Sequence, residues 1–322
     1  MNVLVTGGAG YIGSVVTEQL LDRGYHVTVA DNLSSGRQSH VQDGADFHEL
    51  NVGDVPAMRA LLAEKKIDVL MHFAASSLVG ESVADPDKYF RNNMVNSLNL
   101  LHAVRHSDCR RFIFSSTAAV YGNPDSVPIA EEHPCRPINP YGFSKYSIEQ
   151  ALAWHGSAYG LRYNIFRYFN AAGASARHGE DRDVETHLIP LLIDTALGRR
   201  ESFKLFGDDY DTPDGSCIRD YIHVLDLAEA HIRAIDNLAA HPRAIYNLGT
   251  GRGYSNREVI EMVKTVSGRD FEVQTAPRRA GDPAVLVASA DKARRELGWQ
   301  PRHGSLREIV ESAWRYNMTN EL

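Results

Sequence analysis

Residues 3–16 read VLVTGGAGYIGSVV, and the order of residue types in this stretch decides the fold. Val3, Leu4 and Val5 form a short apolar run of strand type, glycines follow at 7, 10 and 13, and Ile12, Val15, Val16 and Leu20 recur at the spacing that gives a helix one buried stripe. Strand, glycine turn and helix in direct succession open a βαβ unit. Glycines in such a turn permit unusual dihedrals, let backbone amides approach a pyrophosphate, and leave a helix N-terminus to attract its charge. The next apolar run, HVTVAD at 26–31, ends in Asp31, 18 residues beyond Gly13. A carboxylate there accepts hydrogen bonds from an adenosine ribose and repels a 2'-phosphate, so the pattern favours NAD over NADP, although Arg37 nearby weakens the exclusion.

Outward from this unit the same rhythm continues in DVLMHFA (68–74), RFIFSST (111–117) and YNIFRYF (163–169), each separated from the next by sequence of helical period. Strands apolar on both faces with helical crossovers predict an α/β fold, a doubly wound parallel sheet whose ligands sit beyond the C-terminal ends of its strands. From about Ala171 the rhythm breaks into charged, loop-like sequence such as GASARHGEDRD and FGDDYDTPDGS, with one helical segment near 187–197. RDYIHVLDLAEAHIRAI (219–235) then reads as a helix, and AIYNLGT (244–250) as a strand that returns to the sheet. The expected division is an NAD-binding Rossmann domain from 1–170 plus about 219–250, and a smaller C-terminal substrate-binding α/β domain from about 171–218 plus 251–322. The two should share a cleft.

Composition narrows the partner. The chain has 322 residues, of which 43% are hydrophobic and 23% charged, ample for a sizeable core. A net charge of -7 argues against a broad nucleic-acid or acidic-membrane surface. Cys109, Cys135 and Cys217 form no CxxC pair, which predicts neither a disulfide framework nor a structural zinc site and fits a reducing cytoplasm. No run reaches the ~20 apolar residues of a membrane span, and the N-terminus has no basic leader ahead of its short apolar run.

The chemistry concentrates in two further stretches. SSTAAVYG puts Ser115, Ser116 and Thr117 at the C-terminal edge of a strand, and NPYGFSKYSIEQ (139–150) places Tyr141 and Lys145 one helical turn apart on one face. An ammonium beside a phenol, together with the charge of an oxidised nicotinamide, favours the phenolate and should depress the Tyr141 pKa toward working pH. Thr117 could share the reacting oxygen and relay its proton.

These segments are similar to the extended short-chain dehydrogenases/reductases. More narrowly, HFAASSLVGESV, RYFNAAGA, GDDYDTPDGSCIRDYIHVLDLA and RRAGDPA resemble the UDP-glucose 4-epimerase family over nearly the whole chain. The resemblance implies reversible epimerisation of UDP-glucose and UDP-galactose at C4 through a 4-keto sugar, with NAD held tightly as transient hydride acceptor. Tyr141 would be the base, Lys145 would tune it and hold the nicotinamide ribose, and Thr117 would relay the proton. For the 4-keto sugar to turn over, UDP must be gripped firmly and the hexose loosely.

Carried onto this sequence, the family's cofactor contacts fall first on Gly7, Gly10, Tyr11, Ile12 and Gly13. Others fall on the strand ends, at Asp31, Asn32, Asn51, Val52, Phe73, Ala74, Ala75 and Ser115, and on Asn92, Tyr141, Lys145 and Phe169. Asn51 replaces a usual Asp, and Ser77 stands where some members have Lys and would need a water to span the gap. On the substrate side, besides Thr117 and Tyr141, the matches are Asn170, His187, Leu188, Phe206, Arg219, Arg279, Asp282 and Leu286. Arg219 and Arg279 would meet the diphosphate and Phe206 the uracil. A bulky Leu286 would favour UDP-glucose and UDP-galactose over N-acetylated sugars, or is ordinary core. The family implies no metal and suggests a homodimer built on the helix bearing Tyr141 and its neighbour. His72 and His223 read as packing residues. Rival readings are an epimerase of another UDP-sugar, a nucleotide-sugar reductase, a 4,6-dehydratase and a non-catalytic NAD-binding regulator. Ala118 and Ala119 stand where the dehydratase carries an acidic pair, and retention of Thr117, Tyr141 and Lys145 speaks against the regulator.

Overall fold

The computed structural model describes residues 1–279 and 282–319. Ala280 and Gly281 of the RRAGDPA motif, and the last residues of the expected second domain, lie outside the described residues. Six parallel strands alternate with helices through the first half and a seventh joins later. They are β1 (Asn2–Thr6), β2 (His26–Asp31), β3 (Asp46–Glu49), β4 (Val69–His72), β5 (Arg111–Thr117), β6 (Arg162–Tyr168) and, after the smaller sheet has begun, β10 (Arg243–Leu248). Their order is β10-β6-β5-β4-β1-β2-β3, which is the 3-2-1-4-5-6 order of a dinucleotide-binding sheet extended by one strand. Its topological switch lies between β1 and β4, where a crevice must open.

The intervening helices are α1 (Tyr11–Leu21), α2 (Val55–Glu64), α3 (Val79–Ala84), α4 (Pro86–Tyr89), α5 (Asn96–Arg105) and α6 (Pro140–Tyr159). A π-turn, Phe90–Val95, links α4 to α5. Each sheet face is covered. Val15, Val16 and Leu20 of α1 pack with β1 and β2 and with α8 (Val224–Ala240) in one core. Met58, Leu61, Leu100, Ile148 and Leu152 from α2, α5 and α6 fill the other.

A smaller sheet follows. β9 (Ile218–His223) is flanked by β7 (Asn170–Ala172), β11 (Gly253–Ser255) and β13 (Val285–Leu286), while β8 (Phe203–Phe206) pairs in parallel with β12 (Val273–Ala276). Helices α7 (Leu188–Ala196), α9 (Asn256–Ser267) and α11 (Leu306–Thr319) close a third core around Leu192, Val259 and Ile309. The short α10 (Asp291–Leu297) returns to the large sheet through Ala293 and Leu297.

One reading is corrected here, and one strand was not anticipated. Residues 219–223, read as the opening of a helix, belong to β9 in the small sheet, and the helix starts only at Val224. Ile218, Tyr221 and Ile222 are residue types that fit a strand, and His223 Nδ1 accepts from Leu225 N at 3.1 Å as the cap that separates the two elements. Strand β3, DFHE, carries too few apolar residues to be read from its pattern, and its burial is partial because it forms the sheet edge. No helix among the described residues is long and apolar enough to cross a membrane.

Candidate active site

The turn between β1 and α1 is built without slack. Gly7 has φ +78°, which an L side chain rarely adopts, and a Cβ there would overlap the backbone nitrogen of Ala74 beyond β4. A Cβ on Gly13 would overlap the Gly7 carbonyl oxygen, and one on Gly8, which the spacing argument passed over, would press Val29 of β2. Gly10 is the N-cap of α1 and offers no side-chain acceptor, so the first-turn amides are left for a ligand. Asp31 is buried at the end of β2; its Oδ2 accepts from Ala9 N at 3.0 Å and its Oδ1 from Leu33 N at 2.9 Å. Burial raises its pKa, opposed by those amides. Each carboxylate oxygen has two acceptor sites, so both retain one for a ribose hydroxyl. A cradle that any Cβ would fill, an open helix N-terminus and this carboxylate fit a dinucleotide.

The neighbouring strand ends complete this side. Phe73 and Ala74 donate from their amides to Thr6 O at 2.9 and 3.1 Å, and Ala75 follows them half-buried. Asn32 is exposed, and its Oδ1 accepts from Ser34 N. Asn51 Oδ1 accepts from Gly53 N at 2.8 Å, leaving one lone pair of the oxygen assigned to the adenine, while Val52 beside it is buried. Asn92 sits in the π-turn and donates to Ser76 Oγ at 3.0 Å. Phe169 is buried just past β6.

The sequence NPYG fixes the second part. Asn139 Oδ1 accepts from Gly142 N at 2.8 Å and Pro140 occupies the first turn, so α6 starts abruptly with Tyr141 in that turn. Such a cap contributes about 1 kcal/mol. Gly142 lets the helix lean on the strand end, since a Cβ there would lie 2.5 Å from Ala119 O, two residues after Thr117. Thr117, Tyr141 and Lys145 are thereby gathered at the C-terminal end of β5. Lys145 is buried, its Nζ donates to Ser115 O at 2.8 Å, and the Phe114 ring lies beneath it.

Within the protein alone the Tyr141 pKa is not depressed, so the expected depression is left to the charge of the nicotinamide. Burial raises that pKa, opposed by the hydroxyl of Thr117 and the charge of Arg182. Lys145 is the group that is pulled toward neutrality: burial lowers it to about 7, against the pull of Glu149 upward. A buried ammonium loses hydration, so its own charge is at risk before it can acidify a neighbour. His72 in β4 is a packing residue, bonded to Thr6 Oγ1 at 2.7 Å and Ser97 Oγ at 2.8 Å, and burial with Lys145 nearby takes it down to about 3. His223 bonds Ser312 Oγ at 2.9 Å.

The third part gathers residues far apart in sequence. Leu286 of β13 is the register partner of Arg219 in β9. Arg219 Nη2 lies 3.7 Å from Asp282 Oδ1, and the Arg279 guanidinium lies 4.1 Å from the centre of the Phe206 ring. Phe206, Arg219, Arg279, Asp282 and Leu286 therefore face one region, with Asn170 on β7 along the far edge of β9.

Segment 173–187 straps the first part to the third. Tyr11 OH donates to Gly173 O at 2.6 Å, and Arg37 pairs with Asp181 at 3.0 Å and Asp183 at 2.9 Å, which occupies the cation that weakened the exclusion of a 2'-phosphate. Arg182, which no motif singled out, donates to Ser77 Oγ at 2.9 Å, so Ser77 has a direct partner in place of the expected water. His187 caps the start of α7 ahead of Leu188 and pairs through Nδ1 with Glu180 at 3.0 Å and Glu185 at 2.9 Å. Those three side chains have metal-like spacing, yet the cationic partners are already His187 and Arg182, whose Nε lies 2.8 Å from Glu180.

The chain as a whole has clear relatives among known proteins. The profile of the NAD dependent epimerase/dehydratase family matches residues 3–249. The chain is 50% identical to the UDP-glucose 4-epimerase of Corynebacterium glutamicum across 98% of its own length and 95% of that protein. It is similar to the crystal structure of the Brucella ovis UDP-glucose 4-epimerase in complex with NAD, with TM-score 0.95, 46% identity and 98% of each chain covered. It is also similar to the Bifidobacterium longum enzyme in complex with NAD+ and UDP, with TM-score 0.94, 38% identity, and 100% and 99% covered.

Proposed function

Because this chain belongs to the NAD dependent epimerase/dehydratase family and is an NAD-using enzyme, we propose that it interconverts UDP-glucose and UDP-galactose at C4. The observation that carries the reading is the meeting of Thr117, Tyr141 and Lys145 at the end of β5, beside a glycine turn with no side-chain cap. Bound on Gly7, Gly10, Gly13 and Asp31, NAD supplies the transient acceptor for the C4 hydride. The Tyr141 phenolate takes the proton of the C4 hydroxyl, becoming the phenol that later returns it, and Thr117 holds the same oxygen. Lys145 holds the ribose next to its strand end and stabilises the phenolate. Arg219 and Arg279 fix the diphosphate while Phe206 flanks the base, and the hexose is left free to present its other face.

The division of labour follows the two sheets. The large one, with residues 1–170 and 224–250, holds the dinucleotide. The small one, with 171–223 and the residues from 251 to 319 other than α10, holds the UDP-sugar. We also assign a homodimer to the face on which Val95, Leu98, Phe143 and Trp154 are exposed, Trp154 by 74%; a monomer in sedimentation would overturn it. Free Cys109, Cys135 and Cys217 support a cytoplasmic site of action, which recovery in another fraction would overturn.

The direct test is proton NMR of the anomeric region after mixing purified protein with UDP-galactose and no added cofactor. Growth of UDP-glucose signals supports the reading, and no change after NAD is supplied overturns it. Tyr141→Phe is expected to lower turnover by about 10³-fold or more with bound NAD retained, and retained turnover would remove Tyr141 as base. UDP-N-acetylgalactosamine should convert poorly beside Leu286; equal conversion ends that preference.

A further inference from the structure

Helix α6 carries its functional face one turn beyond Lys145. Glu149 follows on the same stripe and is 1% exposed. Arg167 of β6 holds its carboxylate from two sides, Nη2 to Oε2 at 2.6 Å and Nε to Oε1 at 3.1 Å, and Ser116 Oγ donates to Oε1 at 2.5 Å. Arg167 Nη1 continues to Tyr121 OH at 2.9 Å and Glu131 O at 3.2 Å, and Tyr121 donates to Asn247 Oδ1 at 2.6 Å. One network thus pins α6, β5, β6, β10 and the 121–131 connection. A buried ion pair is weak evidence for stability, because removing two charges from water offsets most of their attraction. Its place directly behind Lys145 calls for another account.

We propose that Glu149, clamped by Arg167 and Ser116, is a positioning residue that keeps the Lys145 ammonium charged and seated on the Ser115 carbonyl at the cofactor edge of β5. Lys145 is only 4% exposed, and burial takes it to about 7 even with Glu149 opposing. Removing that carboxylate would take it further toward the neutral amine. The other groups that face it are spectators at that pH. His72 on β4 is held far below neutrality by burial, and Tyr168 on β6 and Tyr141 on α6 are raised by burial. The π-turn brings the uncharged Asn92 and Asn93, and its Arg91 is exposed and paired with Asp87. Tyr89 beside Tyr141 is raised by burial and Glu81. Arg167 would repel Lys145 if free, but it is spent on Glu149, so the clamp presents an oriented anion. The proposal rests on the reading of Lys145 given above.

The chain has seven lysines, so Lys145 can be followed directly by ¹³C-NMR of protein labelled at lysine Cε, assigned by Lys145→Arg. The wild-type resonance is expected to titrate near neutrality, and Glu149→Gln to move its midpoint down on the order of one pH unit, with the pH profile of turnover displaced in the same direction. An unmoved midpoint in folded Glu149→Gln would make the pair a purely structural one and overturn the proposal. If that variant does not fold, Glu149→Asp keeps the charge but withdraws it by one methylene. It is expected to move the midpoint part of the way and to retain more turnover near neutral pH than a Lys145 variant; no movement is again fatal. The titration needs no substrate. A protein that titrates as expected yet converts no UDP-sugar would sink the functional reading and leave this inference standing.

Discussion

The dinucleotide end and the proposed uridine end are made in opposite ways. At the first, backbone meets backbone: Gly7 against Ala74, Gly13 against Gly7, and Asp31 bonded to two amides. At the second, side chains meet side chains at longer range, Arg219 at 3.7 Å from Asp282 and Arg279 above the Phe206 ring. Backbone contact without slack gives a preorganised, nearly permanent site, as the proposed regeneration of NAD within each cycle would require. Side-chain contact can tighten on arrival and release on departure, which suits a ligand that must leave. On the proposed function, the same chain would separate a resident group from a visiting one by the kind of atom it offers.

The contrast breaks most visibly at Gly13. Gly13→Ala places a methyl on the Gly7 carbonyl, where only backbone could yield. The expected cost is about 3 kcal/mol, read in denaturant unfolding together with loss of co-purifying NAD. A variant that keeps both stability and NAD would show that the turn has slack after all. The uridine end should respond more softly. Arg219→Met is expected to raise the KM for UDP-sugar about 10- to 100-fold, the worth of one charge-assisted contact, with bound NAD per protein unchanged. Loss of NAD in that variant would show that the two ends are one unit.

The contrast also explains what the sequence disclosed. Residues 3–31 hold the strand, turn, helix and acid of the dinucleotide end in one contiguous run, so local periodicity and spacing are enough. NPYG likewise encodes its own cap. Arg219 and Leu286 are joined by the pairing of β9 with β13, and Phe206 stands in β8 of a separate two-stranded sheet, so resemblance alone could bring them together. Glu149 and Arg167 escaped because one charge on a helix and one in a strand carry no local sign of meeting, and a buried pair resembles two solvated residues until its partner is known. Arg182 was hidden for a similar reason, since it lies in a loop whose path no periodicity predicts. The rise of the Tyr141 pKa within the protein alone was hidden too, because the charge of Lys145 was visible in the sequence and its burial was not.

The smallest effect is expected in the strap between the two ends. Burial pulls the His187 pKa down, but the charge and hydrogen bond of Glu180 and the hydrogen bond of Glu185 outweigh it and push it up to about 9. A histidine raised above its unfolded value of about 6.5 adds stability that is fully present below that value and lost as pH rises through the folded one. The side chain is about a third exposed, so water screens the pair and the contribution should be near 1 kcal/mol. His187→Asn is therefore expected to melt about 2 °C below the parent at pH 6 and together with it at pH 10. A difference that persists undiminished at pH 10 would assign the strap's strength to packing rather than charge. It would then belong with the backbone-built dinucleotide end, not with the adjustable uridine end.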